Sequence, residues 1–387
     1  MRFLHIADLH IGKVVNDFSM LEDQRFILEQ ISGMAEANKV DAVVIAGDIY
    51  DRAIPPGEAV TLLDHFLNTL TKLDIQVIMI SGNHDSPERI SFGENLFRRQ
   101  GVHIAGTWKE KLTTAVLEKE GCVTEFVLLP FVKPAQLGAR TCGEAVECIL
   151  DRYWQEEDKN KQKNRVLVTH FFVTDGGKEP ELSDSETTIH VGGLDNVDAS
   201  LFRGFDYVAL GHIHKPQQIG SLPIWYAGSP LKYSFGEAKQ TKEALLVSMG
   251  KEGLKEIKEL PLRPLREMRK IEGSLKEIME EATKTVIENR EQHQDYIQAY
   301  LTDKGELIDP IGTIRSIYPN VMQIVRGEIE GSSHKADMHT GRSRMLAGQR
   351  DVIPLFEAFY QEVNETKLSE ESKKIVTDVA KELEEID

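Results

Sequence analysis

The feature that most constrains this chain is a set of five strand-like apolar runs, each ending at a residue that can bind a metal ion or move a proton. In open α/β sheets, functional sites form beyond the carboxyl ends of the strands. Polar residues in a single turn are usually just part of a solvated turn, but five strands that end in this way predict one shared site. The runs are Phe3–Ala7 before Asp8 and His10, Ala42–Ala46 before Asp48, Ile75–Ile80 before Gly82, Asn83, His84 and Asp85, Val166–Thr169 before His170, and Tyr207–Leu210 before His212 and His214.

Strand-like runs alternate with amphipathic segments over residues 1–265. Met20–Ala37 has helical spacing of its apolar residues, and a second helix opens at Pro56 and Gly57. Residues 113–129 contain two strand-like runs around a turn, and so do residues 244–260. Each pair of runs has the pattern of a hairpin. This alternation predicts an α/β fold with two mixed β-sheets packed face to face and flanked by helices.

The chain changes character after Pro261 and Pro264, which predicts a domain boundary near residues 262–268. Beyond it, apolar runs read as strand, helix, strand, helix, strand, the pattern of a small α+β cap domain. Two apolar stripes in the C-terminal tail predict helices, which either pack on the chain's own core or bind another subunit. The predicted segments are an α/β core over 1–265, a cap over 266–328, a linker over 329–350 and a helical tail over 351–387.

The formal net charge is −17, from 46 basic and 63 acidic residues. Such a balance argues against a general nucleic-acid binder. Cations bound by clustered carboxylates would be the largest local charges at the site, so a polyanionic substrate stays compatible with the composition. The acidity therefore predicts that binding of a polyanionic substrate would need metal ions or a basic partner.

No apolar run approaches the ~18 residues of a membrane span. The N-terminus lacks the layout of a signal peptide. We therefore expect a cytoplasmic protein. The three cysteines, at 122, 142 and 148, show no CxxC spacing, which argues against a zinc knuckle.

The residues at the strand ends supply two carboxylates, one amide and four imidazoles. Seven ligands are too many for one four-coordinate zinc ion, and they suit two adjacent divalent ions. Asp48 stands alone at its strand end and is predicted to bridge them. Oxygen and imidazole ligands suit Mn²⁺, Fe or Zn²⁺, and the sequence does not choose among these metals. Two ions ~3.5–4 Å apart form a clamp for in-line displacement at phosphorus. The predicted ligands are Asp8, His10, Asp48, Asn83, His170, His212 and His214.

His84 is not needed among the seven predicted ligands, and it follows the predicted ligand Asn83 in the sequence. We predict that it donates a proton or hydrogen bond to the departing oxygen, with Asp85 orienting its imidazole. The alternative is that His84 is a buried side chain with a structural role. The chain has no GxxxxGK[ST] motif, so any response to ATP must come from another subunit.

These motifs resemble those of the calcineurin-type metallophosphoesterase superfamily. They are Asp8-x-His10, Gly47-Asp48, Gly82-Asn83-His84-Asp85, His170 and Gly211-His212-x-His214. Within the superfamily, the flanks of the motifs resemble the SbcD family of nuclease subunits. Those flanks are the stretches 2–12, 47–52, 80–86 and 226–230.

The resemblance implies a two-metal hydrolase with Mn²⁺ as the working metal. It implies ATP-stimulated 3′→5′ exonuclease activity on double-stranded DNA ends and endonuclease activity on hairpins and single strands, in DNA repair, recombination and replication. The cap would face DNA, and the helical tail would bind an SbcC-type ATPase subunit, with a dimer of this chain inside a heterotetramer. The implied ligand sets are Asp8, His10, Asp48 and His214 for the first ion, and Asp48, Asn83, His170 and His212 for the second.

One departure from the family pattern is Asp51, where some relatives have His. If that His assists catalysis, this chain must use another group. Two other functions stay open. A phosphodiesterase acting on nucleotides or other small molecules would use the same ions but leave the cap and tail unexplained. A scaffold that has lost catalysis is disfavoured by the complete ligand set.

Overall fold

The computed structural model describes residues 1–156, 163–183, 195–288, 292–305, 307–326 and 372–373. The chain divides into two compact units, Met1–Gly327 and Glu328–Asp387. All the elements named below lie in the first unit. The predicted linker over 329–350 lies outside the described residues, as does the predicted helical tail over 351–387 apart from residues 372–373.

The strands and helices of the described residues are numbered in chain order. The strands are β1 (Arg2–Ile6), β2 (Val14–Val15), β3 (Phe18–Ser19), β4 (Ala42–Ala46), β5 (Gln76–Ile80), β6 (Val102–Ala105), β7 (Thr113–Lys119), β8 (Cys122–Leu129), β9 (Asn164–His170), β10 (Phe172–Thr174), β11 (Asn196–Asp198), β12 (Tyr207–Gly211), β13 (Gln217–Gln218), β14 (Ile224–Tyr226), β15 (Glu243–Gly250), β16 (Gly253–Pro261), β17 (Met268–Gly273), β18 (Tyr296–Leu301) and β19 (Val321–Arg326). The helices are α1 (Leu21–Ala37), α2 (Gly57–Lys72), α3 (Pro87–Ile90), α4 (Glu94–Phe97), α5 (Cys142–Glu156), α6 (Leu275–Glu288) and α7 (Pro310–Arg315).

Two six-stranded mixed sheets form the centre of the molecule. The first has the order β16-β15-β1-β4-β5-β6, in which β1, β4, β5 and β6 run parallel. The second has the order β13-β14-β12-β9-β8-β7, in which β14, β12, β9 and β8 run parallel. The predicted hairpins are the antiparallel pairs β7–β8 and β15–β16. The predicted α/β architecture of two mixed sheets is confirmed.

The alternating direction of side chains along each strand explains why the two sheets stack. In β1, Phe3 joins a core formed by both sheets, whereas Leu4 joins the core on the outer face of the first sheet. Successive side chains of a strand point to opposite faces, so a strand covered on both faces is apolar throughout. The apolar runs in the sequence are therefore the strands that are buried on both sides.

Helices cover the outer faces of the two sheets. Helices α1 and α2 pack on the first sheet through residues such as Ile27, Ile31 and Phe66. Helix α5 packs on the second sheet through residues such as Val146 and Ile149. Each fully buried aliphatic or aromatic side chain contributes about 1.5–3 kcal/mol. None of the helices in the described ranges has both the length and the apolar composition needed to cross a lipid bilayer.

A smaller parallel sheet, β17-β18-β19, follows the core and carries α6 and α7. It has an apolar cluster of its own, which includes Ile278, Ile297 and Ile314. The order of its elements is strand, helix, strand, helix, strand. The cap boundaries at 266 and 328 stay a prediction.

Candidate metal centre

The seven predicted ligands all stand where parallel strands of the two large sheets end. Six of them are buried, and Asn83 is half-buried. Both sheets open toward the same volume, so the loops of one sheet face the loops of the other. The ligands are Asp8 and His10 after β1, Asp48 after β4, Asn83 after β5, His170 at the end of β9, and His212 and His214 after β12.

One group of ligand atoms lies on the β1 side. Atoms of Asp8, His10 and His214 come within 4.8 Å of one another. The His10 Nε2 and His214 Nε2 atoms are 3.2 Å apart. Two neutral imidazole nitrogens that both lack a proton would repel at this distance, and a cation between them removes the conflict. This group therefore has the donors of a metal site.

A second group lies on the β9 side. The Asn83 Oδ1 atom is 3.0 Å from His170 Nε2 and 3.0 Å from His212 Nδ1. One amide oxygen and two imidazole nitrogens thus converge on one small volume.

Asp48 stands between the two groups. Its Oδ2 atom is 3.6 Å from His10 Nε2 and 3.3 Å from His170 Nε2. Its Oδ1 atom accepts a hydrogen bond of 2.9 Å from the His84 backbone N–H. One carboxylate oxygen therefore adjoins both groups, which is the position that a bridging ligand needs.

Hydrogen bonds on the far side of two rings set their tautomers. The Nδ1 atom of His170 lies 2.8 Å from the Ala46 carbonyl, to which an Nδ1–H donates. The Nδ1 atom of His214 lies 3.4 Å from Glu237 Oε1. When Nδ1 carries the only ring proton, each Nε2 can offer its lone pair to a cation at the cluster.

Burial and mutual charge perturb the titration of these groups. Burial raises the pKa of Asp8 to about 7. Burial also holds the pKa of His10 well below its usual range. Burial would raise the pKa of Asp48, but the charge of His170 and other neighbouring histidines outweighs it and holds that pKa well below the usual range. Conversely, burial would lower the pKa of His170, and Asp48 raises it to about 9.

Four of the predicted ligands have left-handed backbone conformations. The φ angles are 52° at Asp8, 44° at His10, 49° at Asp48 and 102° at His212. Such conformations cost of order 1–3 kcal/mol each in non-glycine residues and persist only where the surroundings impose them. They occur here at the sharp turns by which the strand ends direct side chains into the shared volume.

Several buried polar residues that support the ligands were not predicted. Glu237 and Lys242 form a buried ion pair of 2.6 Å, and Lys242 also donates to the His214 carbonyl at 2.8 Å. The charge of Lys242 keeps the pKa of Glu237 below its usual range although burial opposes this. Gln24 contacts the backbone of the loop after β1. None of these residues belongs to a motif, and apolar periodicity gives no signal for them.

The expected contact between Asp85 and the His84 ring is wrong. The Asp85 carboxylate accepts hydrogen bonds from the backbone N–H groups of residues 49, 50 and 82, at 2.9–3.1 Å. The Nδ1 atom of His84 instead lies 3.0 Å from the Asp51 carbonyl. Asp85 thus joins the loops after β4 and β5, and the backbone of residue 51 orients the ring.

The Asp51 side chain points to the edge of the centre. Its Oδ1 atom lies 2.6 Å from Lys13 Nζ and 3.7 Å from His10 Nδ1. His84 itself joins His10 and Asp48 in a further group whose ligand atoms lie within 4.8 Å. The geometry therefore leaves His84 close enough to act beside the predicted ligands.

The chemistry of the donors fits divalent cations. Two buried carboxylates, one amide oxygen and four imidazoles, with no thiolate among them, form a set typical of Mn, Fe or Zn centres. Buried carboxylates without a compensating charge are costly. Bound cations would supply that charge.

Comparisons with known proteins support this interpretation. Residues 1–216 match the model of the calcineurin-like phosphoesterase family, and residues 264–364 match a model described as the type 5 capsule protein repressor C-terminal domain. A protein of Staphylococcus epidermidis, named as the D component of the nuclease SbcCD, is 34% identical over 378 residues, which cover 96% of this chain and 95% of that protein.

Two solved structures match at low identity. One is the crystal structure of TT1561 of Thermus thermophilus, which is 14% identical with a TM-score of 0.38 and covers 67% of this chain and 98% of that one. The other is a dimetal phosphatase from Danio rerio, which is 13% identical with a TM-score of 0.38 and covers 68% of this chain and 99% of that one.

Proposed function

The chain belongs to the calcineurin-like phosphoesterase family, and from that premise we propose that it is a Mn²⁺-dependent DNA nuclease that works with an SbcC-type ATPase subunit. Membership makes it a metal-dependent hydrolase of phosphoesters. The step to DNA rests on the relative named as a component of the nuclease SbcCD, which this chain matches over nearly its whole length. The proposed activities are 3′→5′ exonuclease on double-stranded ends and endonuclease on hairpins and single strands.

The observation that carries the two-metal proposal is the position of Asp48. Its Oδ2 atom adjoins His10 of one group and His170 of the other. In the proposed arrangement Asp48 serves both ions. The remaining ligands divide into Asp8, His10 and His214 for the first ion, and Asn83, His170 and His212 for the second.

Two divalent ions bound at this centre would neutralise charge on the phosphodiester and lower the pKa of an attacking water. The protein would hold the ligands in place with buried partners such as Glu237 behind His214. We assign to His84 the donation of a proton or hydrogen bond to the departing oxygen, because its ring packs at 4.9 Å from that of His10 while its Nδ1 atom is held by the Asp51 carbonyl.

The partner proposal rests on the sequence and the comparisons. The chain has no P-loop of its own, so an ATP response requires another subunit. The match over residues 264–364 and the 34% identity along 96% of the chain extend the resemblance beyond the catalytic core. We propose that residues 351–387 bind the ATPase, that residues 266–328 face DNA, and that two copies of this chain assemble in a heterotetramer.

Incubation with a labelled hairpin duplex and Mn²⁺ tests the DNA proposal. We expect hairpin cleavage by the wild type, stimulated by ATP when the ATPase subunit is present, and none by Asp48→Asn. Bis-p-nitrophenyl phosphate serves as the small-ester control, and Mg²⁺ and Zn²⁺ in place of Mn²⁺ test the metal. Hydrolysis of only the small ester would contradict the nuclease proposal and favour a phosphodiesterase acting on small molecules.

Truncation before Val352 tests the partner proposal separately. All proposed ligands lie between Asp8 and His214, so the truncated chain should hydrolyse the small ester like the wild type. We expect it to lose copurification with the ATPase and the ATP-stimulated cleavage of DNA. Retained binding to the ATPase would contradict the assignment of the tail.

A further inference from the structure

Two consecutive polar side chains in the first turn of α1 are buried, although neither is a proposed ligand. Asp23 and Gln24 each expose only 1% of their surface. Polar groups in such positions are costly unless they are hydrogen-bonded, so their partners show what the positions are used for. The partners of the two side chains lie in two different parts of the molecule.

Gln24 is bonded to the loop that follows β1. Its Nε2 atom donates to the His10 carbonyl at 2.7 Å, and its Oε1 atom accepts from the Gly12 backbone N–H at 2.9 Å. The loop has positive φ angles at Asp8, His10 and Gly12, and on one side its backbone bonds that of residues 47–51. The Gln24 carboxamide adds a donor and an acceptor from α1 to this loop and so helps to hold it in its turned conformation.

Asp23 is bonded to the part of the chain that follows residue 265. Its Oδ2 atom accepts from the Tyr296 hydroxyl at 2.7 Å and from Arg266 Nη1 at 2.8 Å. Tyr296 begins β18, the central strand of the small sheet, and its ring also packs against Phe18. The first turn of α1 is thus one of the places where the small sheet docks on the core.

We propose that Asp23 and Gln24 are positioning residues that couple docking of the small sheet to the shape of the loop bearing Asp8 and His10, and so to the affinity of the first metal site. The two side chains share one helical turn, which is a rigid unit. A displacement of that turn by the small sheet would move the Gln24 carboxamide relative to the loop. The inference rests on the metal centre of the proposed function and adds a link between that centre and the residues after 265.

Tyr296→Phe is the decisive variant because it removes one hydroxyl that has no contact with the metal loop. We expect the first Mn²⁺ site, measured by calorimetry on the full chain, to weaken by about 2- to 30-fold, the range typical of coupling through packed elements. The second site, whose ligands Asn83, His170 and His212 lie on other loops, should keep its affinity. Tyr318→Phe is the matched control, since Tyr318 is also buried but packs inside the small sheet's own apolar cluster.

Gln24→Met tests the other half of the link. Loss of a partner that orients a ligand typically costs about 10–100-fold in metal affinity, and the loss should again fall on the first site. Melting temperatures of all variants show whether each one folds. The proposed coupling is overturned if Tyr296→Phe weakens both metal sites equally. It is also overturned if neither site changes its affinity in Tyr296→Phe or in Tyr318→Phe. If the wild type binds no Mn²⁺, the proposed metal centre fails instead.

Discussion

At the scale of single residues, the candidate metal centre depends on backbone conformations that its proposed ligands seldom adopt. Asp8, His10 and Asp48 have φ angles of 44–52°. Asp, Asn and His enter the left-handed region more readily than other side chains, so the residue types that ligate are also those that tolerate these turns. Each turn directs a side chain toward the opposite sheet instead of along its own strand.

The role of His84 can be separated from ligation by substitution. His84→Ala should keep two bound ions, because the seven proposed ligands remain, and should lose about 10²–10⁴-fold in turnover of bis-p-nitrophenyl phosphate, the usual cost of a lost general acid. Elemental analysis of the purified variant measures the ions. A clear drop in metal content would make His84 a ligand, which its grouping with His10 and Asp48 allows.

His5 predicts a pH dependence of stability. It is buried in β1, hydrogen-bonded to the Tyr207 hydroxyl and the Leu210 carbonyl, and burial lowers its pKa to about 3. The unfolded chain takes up a proton near pH 6.5 and the folded chain does not. The stabilisation is therefore complete above pH 6.5 and is lost as the pH falls toward 3, with about 2 kcal/mol lost by pH 5.

Urea unfolding of metal-free protein at pH 7 and pH 5 measures this loss. The same comparison on His5→Gln removes the contributions of the other histidines. We expect the difference in unfolding free energy between the two pH values to be smaller in His5→Gln by about 2 kcal/mol. Equal losses in both proteins would show that His5 does not carry the effect.

At the scale of elements, local pattern predicted the five strands that end at the proposed ligands and the two hairpins. Apolar periodicity and the position of a run's last residue are local properties, so they were visible at β1, β4, β5, β9 and β12. The contacts of Gln24 and Glu237 were not visible, because each joins a polar side chain to a different element, and local periodicity carries no signal for such a contact. The expected contact of Asp85 with the His84 ring was wrong for the same reason. The Asp85 carboxylate bonds backbone groups of a neighbouring loop, and only folding brings that loop close.

The loop after β5 leaves no room for a side chain at Gly82. A Cβ atom there would lie 2.1 Å from Asp48 Oδ1 and 2.4 Å from the Asp48 backbone nitrogen. Gly82→Ala should therefore displace Asp48 and abolish both Mn²⁺ binding and hydrolysis of the small ester. Gly33→Ala is the matched control, because Gly33 lies inside α1 with nothing within 4 Å of its Cβ position.

The control should gain about 0.5–1 kcal/mol of stability, the usual effect of replacing a glycine inside a helix by alanine, and keep its activity. Calorimetric Mn²⁺ titration and a melting curve on both variants give the comparison. Normal Mn²⁺ binding by Gly82→Ala would mean that the loop can move away without disturbing Asp48, and would remove the steric argument.

At the scale of the whole molecule, the centre is shared between the two large sheets. The first sheet supplies Asp8, His10, Asp48 and Asn83, and the second supplies His170, His212 and His214. Apolar contacts hold the sheets together below the centre, among them Phe3 with Phe126 at 5.3 Å between ring centroids. Above that core, the facing loops bring buried carboxylates and imidazoles together. Ions at the centre would therefore act as cross-links between the sheets.

Removal of metal should accordingly destabilise the fold. A ligand that binds only the folded state at 100 times its dissociation constant adds about 2.7 kcal/mol to the unfolding free energy. For a chain of 387 residues that corresponds to a rise of about 3–4 °C in melting temperature. We expect this rise when Mn²⁺ is added to chelator-treated wild type, and again in Gly33→Ala. Asp48→Asn should show little or none, because the altered residue adjoins both ligand groups. A rise of the same size in Asp48→Asn would place the stabilising ions elsewhere on the protein and would contradict the cross-link between the sheets.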